Sequence, residues 1–126
     1  MERDPMIVAG LGFRTDASVD SLRDALRAAG GHAAQALATA EDKARAPQIR
    51  ALAAELALPL HAIPRAALQN QTSLTKSARV QSLYGTGSLA EAAALAAAGP
   101  GAQLLGPRVT SHDGKATAAL AERSLT

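Results

Sequence analysis

The chain predicts an α/β fold: a three-layer α/β/α sandwich around a mixed, mainly parallel sheet of about five strands, closed by a C-terminal hairpin. Three observations predict it. Short apolar runs alternate with segments of helical periodicity along the whole sequence. Glycine and proline punctuate most of the junctions between them. Asp113-Gly114, a strong turn former, stands between two strand-like runs near the carboxyl end. At 126 residues, with no internal repeat and no linker, residues 1–126 read as one domain.

Met6 to Gly10 reads as a buried strand. Val19, Leu22, Ala25, Leu26 and Ala29 share one helical face, predicting a helix over Ser18–Ala29 that Gly30-Gly31 stops. Ala34 to Thr39 is the second strand, and Glu41 to Arg45 a charged loop. Pro47 suits the first position of a helix to about Ala57, with Ile49, Leu52, Ala53 and Leu56 facing inward. Prolines 59 and 64 bracket a third short strand, and Arg65 to Leu68 form one helical turn. Gln69 to Lys76 is polar and irregular and reads as a mobile loop. Ser77 to Leu83 is a short helix closed by Gly85. Ser88-Leu89-Ala90-Glu91 is a capping box that starts a helix running to Ala98. Ala102 to Gly106 is a fourth strand, with Val109 and Thr110 prolonging it into the turn. Lys115 to Ala121 is the returning strand.

Composition limits the chemistry. The hydrophobic share is 48%, yet there is one Phe, one Tyr and no Trp, so the core consists of Leu, Ile, Val and Ala. Alanine supplies roughly a quarter of the chain, well above ordinary usage, which points to helix faces packed closely against a sheet. The absence of cysteine excludes disulfides, thiolate catalysis and zinc–thiolate sites. No apolar run reaches membrane-spanning length, and the charged amino terminus lacks a signal-peptide core, so a cytoplasmic location without membrane contact is expected. Thirteen basic residues against eleven acidic ones, scattered and almost without aromatics, argue against nucleic acid and favour a small polyanionic ligand. His32, His61 and His112 lie too far apart for metal-ligand spacing, so no metal or cofactor is expected. His61, inside an apolar strand, reads as a half-buried structural residue.

The motif Gly10-Leu11-Gly12-Phe13-Arg14 carries the functional argument. Strand, glycine turn and helix in that order form the usual entrance to a ligand site, and Arg14 adds a fork-shaped cation there. The dinucleotide fingerprint is incomplete, because Thr15 stands where a third glycine belongs. A plain tight turn is the competing reading. Gly85-Thr86-Gly87-Ser88 is a second glycine turn, explained either as a helix cap or as a cradle for an anion. Thr39 and Lys43 follow the second strand and share the predicted carboxyl edge with Arg14. Alternatively, Lys43 is one more solvated charge in the run from Glu41 to Arg45. No nucleophile elbow and no P-loop lysine occur.

Together these segments resemble the CobE/CbiG C-terminal domain family of cobalamin (vitamin B12) biosynthesis, from about Ile7 to Ala121. The resemblance rests on Gly10 to Arg14, Ala38-Thr39 with Lys43, Leu56 to Leu60, Thr75-Lys76-Ser77 with Val80, Gly85 to Leu95, and Thr117 to Ala121. It departs at Pro107-Arg108, where the family often has lysine; Arg108 keeps the charge but not the ammonium geometry. The resemblance implies a role in building the corrin ring. The chain's length corresponds to the family's stand-alone form, associated with the aerobic pathway, rather than to the longer fused proteins that open a precorrin lactone.

The expectation is a protein that binds a precorrin-type tetrapyrrole intermediate as a carrier or accessory factor. Arg14 and Lys43 would pair with carboxylates, Thr39, Thr75 and Ser77 would add hydrogen bonds, and the backbones of Gly10, Gly12, Gly87 and Ser88 would accept a further carboxylate. The loop Gln69–Lys76 would close over the ring. Two other readings stay open. One is an enzyme acting on a precorrin lactone or side chain, with Glu91, Asp42 and His112 as the acid–base candidates. The other is an interaction module that hands intermediates to corrin-pathway methyltransferases.

Overall fold

A computed structural model describes residues 6–123. The element order is β1 (Met6–Phe13), α1 (Val19–Ala28), β2 (Ala36–Ala40), α2 (Pro47–Leu56), β3 (Leu60–Ile63), α3 (Arg65–Gln69), α4 (Ala78–Tyr84), α5 (Leu89–Ala98), β4 (Gln103–Leu104), β5 (Val109–Thr110) and β6 (Ala116–Arg123). The sheet runs β3-β2-β1-β6-β4, with β5 also paired to β6. β1, β2 and β3 are mutually parallel, while β6 lies antiparallel to β1, β4 and β5. The expected mixed α/β architecture is therefore present, with six strands. The sixth arises because Gly106-Pro107 divides the expected fourth strand into β4 and β5.

Each element follows from local chemistry. Ser18 caps α1 reciprocally with Ser21: Ser21 N–H donates to Ser18 Oγ (3.1 Å), and Ser18 N–H donates to Ser21 Oγ (3.2 Å). Pro47 opens α2 where its missing N–H costs nothing. In the hairpin turn, the Asp113 carboxylate accepts from Ser111 Oγ (2.6 Å) and Lys115 N–H (3.0 Å). It also accepts from Ser21 Oγ, which ties the turn to α1.

The two faces of β1 build two cores by strict alternation. Ala9, Leu11 and Phe13 pack with Leu22, Leu26, Ile49 and Leu52 of α1 and α2. On the opposite face Val8, Ala36, Ala38, Ala40 and Ala121 meet α5, almost all alanine. Small residues on both sides let this helix approach the sheet closely. A Cβ built on Gly10 would lie 1.9 Å from Ala90 O and 2.6 Å from Ala94 N.

This contact corrects the reading of the first glycine motif. Gly10-Leu11-Gly12-Phe13 is not a turn: β1 continues to Phe13, held in register with β6 from Met6↔Arg123 to Phe13↔Ala116. Neither glycine has a positive φ. Gly10 is required because α5 lies against it, a tertiary cause that local sequence signals do not carry. Two further corrections follow. His61 is exposed on the edge strand β3, which among the described residues pairs with β2 alone. The capping box at α5 is half made: Glu91 N–H donates to Ser88 Oγ (3.3 Å), but the Glu91 carboxylate points elsewhere.

Candidate functional site

A cleft of about 290 Å³ opens at the carboxyl end of β1, the position where open α/β sheets bind ligands. Gly12 and Phe13 form part of its floor with Leu89, Ala116 and Thr117. Arg14 follows directly, its N–H donating to Lys115 O (2.9 Å) so that the chain keeps its course past the strand end. Lys43 reaches in from the loop after β2. On the far side stand Ser77 and Arg79 at the start of α4, then Val80, Leu83 and Tyr84. Arg108, Thr110 and Lys115 complete the rim.

Arg14, Lys43, Arg79, Arg108 and Lys115 make five cationic lining residues, and no carboxylate lines the cleft among the described residues. Lys115 pairs with Asp16 at 3.2 Å, which holds the Asp16 carboxyl below its ordinary range. Arg14, Arg79 and Arg108 make no ion pair among the described residues. Lys43 donates to Phe13 O (2.6 Å) and lies 4.9 Å from the centre of the Phe13 ring. Burial lowers the Lys43 pKa; Asp42 opposes that shift and Arg79 adds to it. Tyr84 O–H donates to Asp42 (3.1 Å), and burial followed by this bond pushes the phenol up to about 12. An apolar floor with a cationic rim suits a ligand that has an apolar body and carboxylates at its edge.

Of the residues singled out from sequence, Gly12, Arg14, Lys43 and Ser77 line this cleft. The others stand behind it. Gly10 is buried under α5. Thr39 is fully buried in β2 and donates to Leu11 O (2.7 Å), away from the cleft lining. Thr75 binds Glu91 through its N–H (2.9 Å) and hydroxyl (3.1 Å). Gly87 O accepts from Ser77 N–H (2.7 Å) and from Arg108 Nη1 (3.5 Å). Ser88 is buried as the cap of α5. Sequence reasoning did not place Arg79, Tyr84 or Lys115 here. A signal existed for Arg79, which follows the Ser77 cap and so projects from the first turn of α4. Arg108 was visible only as a substitution at a family lysine position.

The fold and the cleft define the class: an α/β protein with a cation-lined cleft at the carboxyl edge of a mixed sheet. The family profile described as "Cobalamin synthesis G C-terminus" matches residues 7–121. The crystal structure of CobE, a protein from the cobalamin (vitamin B12) biosynthetic pathway, is similar with a TM-score of 0.86 at 34% identity, over 100% of this chain and 98% of that one. Cobalamin biosynthesis protein chiG from Agrobacterium tumefaciens is similar with a TM-score of 0.70 at 34% identity, over 92% and 97% of the two chains. No curated protein sequence gives a significant match. The chain belongs to the CobE/CbiG C-terminal family of cobalamin biosynthesis.

Proposed function

We propose that this protein binds a carboxylate-bearing corrin precursor of the precorrin type in the cleft, and acts in cobalamin biosynthesis as a carrier or accessory factor. The observation that carries the reading is the cleft's charge pattern: five cations and no carboxylate among the described lining residues, around Phe13, Val80, Leu83 and Leu89. Corrin precursors present the complementary pattern, an apolar macrocycle fringed by carboxylates. The volume of about 290 Å³ lies at the lower end of small-molecule sites. It suits one edge of such a ring, with the remainder outside.

The acid–base candidates favour binding over hydrolysis. Glu91 is fully buried, Asp42 accepts from Tyr84, and His112 is exposed on the hairpin; none of the three lines the cleft. The test is a titration with purified precorrin-type pigments, followed by their visible absorption. A saturable shift with Kd at or below tens of micromolar, about −6 kcal/mol, is expected, weakening as salt rises. No spectral change at these concentrations refutes the reading.

A further inference from the structure

No residue from Gln69 to Gly85 is buried. Yet this stretch supplies Ser77, Arg79, Val80, Leu83 and Tyr84, one whole wall of the cleft. Val80 and Tyr84 pack, half-buried, against the core around α5, and the rest of the stretch is held by polar contacts. The main one is the carboxylate of Glu91. Its Oε1 accepts from Leu74 N–H (2.7 Å) and Thr75 N–H (2.9 Å). Its Oε2 accepts from Thr75 Oγ1 (3.1 Å) and from Arg108 N–H (2.8 Å). The last bond reaches a different segment, between β4 and β5, which carries a second wall of the same cleft.

Glu91 is 0% exposed in a helix turn where Ala90, Ala92, Ala93 and Ala94 are also fully buried. Placing a carboxylate in that row is costly unless every acceptor position is satisfied. Four donors satisfy it: three come from Leu74 and Thr75, in the segment that carries one cleft wall, and one from Arg108, which lines the other. Gly87 completes the join. Its carbonyl receives Ser77 N–H and Arg108 Nη1, and a Cβ there would meet Ser73 Oγ and Thr75 O at 2.8 Å.

We infer that Glu91 is the positioning residue of the cleft: its buried carboxylate clasps residues 74–75 and Arg108 to α5 and so sets the spacing between Arg79 and Arg108. The inference rests on the reading of the cleft as a carboxylate-binding site, but its structural half does not depend on it. Glu91→Gln keeps the size, offers one acceptor oxygen and turns an amide N–H₂ toward backbone donors. Hydrogen exchange is measured across the chain, and binding is read with uroporphyrin, an octacarboxylate tetrapyrrole, as the probe. In Glu91→Gln, exchange is expected to accelerate in 73–77 and 107–108 together, while β1 and β2 stay protected and uroporphyrin affinity falls about tenfold. Acceleration in only one segment, or unchanged affinity despite acceleration in both, overturns the inference. If Glu91→Gln does not fold, Thr75→Val decides: it leaves the carboxylate in place and should loosen 73–77 while sparing 107–108, and no loosening there overturns the inference. Wild-type protein that fails to bind uroporphyrin counts against the function reading, and the exchange pattern then decides the clasp alone.

Discussion

Replacing Gly10 with alanine tests whether the first glycine serves the packing of α5 against the sheet. The added Cβ would stand 1.9 Å from Ala90 O and 2.6 Å from Ala94 N. Ordinary contact begins beyond 3.4 Å, so the helix or the strand must move by roughly 1.5 Å to accommodate one methyl group. Both obstructing atoms are helix backbone, and no rotamer change relieves them. Overpacking usually costs about 1–3 kcal/mol; with backbone on both sides, Gly10→Ala should cost about 3 kcal/mol or more. For a domain of this length that lowers Tm by roughly 10 °C. Thermal and urea unfolding measure it, with an unchanged urea slope showing that the loss is one of stability alone. Gly12→Ala meets the movable Thr117 Oγ1 at 2.9 Å and the Leu89 side chain from 3.5 Å, and should cost about 1 kcal/mol. Gly106→Ala faces open space and should stay within about 0.5 kcal/mol of wild type. If Gly10→Ala melted within about 2 °C of Gly106→Ala, the packing argument would fail.

Arg14→Ala and Arg108→Ala should each weaken precorrin-type ligands about tenfold and flatten the salt dependence, whereas unchanged affinity in both would remove the cationic rim from binding. Tyr84 is the single tyrosine, so near-ultraviolet titration of the native protein should reach its phenolate midpoint at about 12, against 10.0 for an ordinary phenol. Its neutral form is the one the fold favours; that contribution is whole below about pH 10 and is lost as pH rises toward 12. A native midpoint near 10 would contradict the half-buried, Asp42-bonded phenol. The Ser111 and Ser21 hydroxyls, then Lys115 N–H, hold the Asp113 carboxyl at about 2 against 3.8 ordinarily. Its contribution is therefore present above about pH 4 and lost as pH falls toward 2. Asp113→Asn should lower Tm at neutral pH and flatten the acid limb, and parallel limbs would speak against it. Ser88→Ala should cost about 1 kcal/mol in urea unfolding through loss of the α5 cap, and a neutral result would deny the cap its role.

The fold was legible because its signals are local. Ser18 and Ser88 announce helix starts, Pro47 opens α2, and Asp113-Gly114 turns the hairpin, each within a few residues of its effect. The site was legible only where a motif sits at a strand end or beside a cap: Gly12, Arg14, Lys43 and Ser77. What escaped depends on distance through space. Gly10 and Gly12 read as a turn, but a strand can use glycine to admit a helix eighty residues on, and nothing near Gly10 says so. Glu91 fits the local pattern of a capping box, yet its carboxylate serves Leu74, Thr75 and Arg108. Lys115 was not singled out as a site residue, because the pairing that brings β6 back beside β1 leaves no trace near it.

That pairing also governs how the chain reaches its native state. β1 and β6 are zipped along their full lengths at the middle of the sheet, and their partners are separated by roughly a hundred residues. The parallel unit β1-β2-β3 with α1 and α2 can assemble early from short-range contacts. It keeps one side of β1 open until residues 116–123 have left the ribosome. A nascent or truncated chain thus carries an unsealed strand in its interior, a template for pairing with another copy. Folding should be slow for the chain's size. A C-terminal fusion that restrains 116–123 should trap the nascent chain as aggregate, while the same fusion on a flexible spacer releases it.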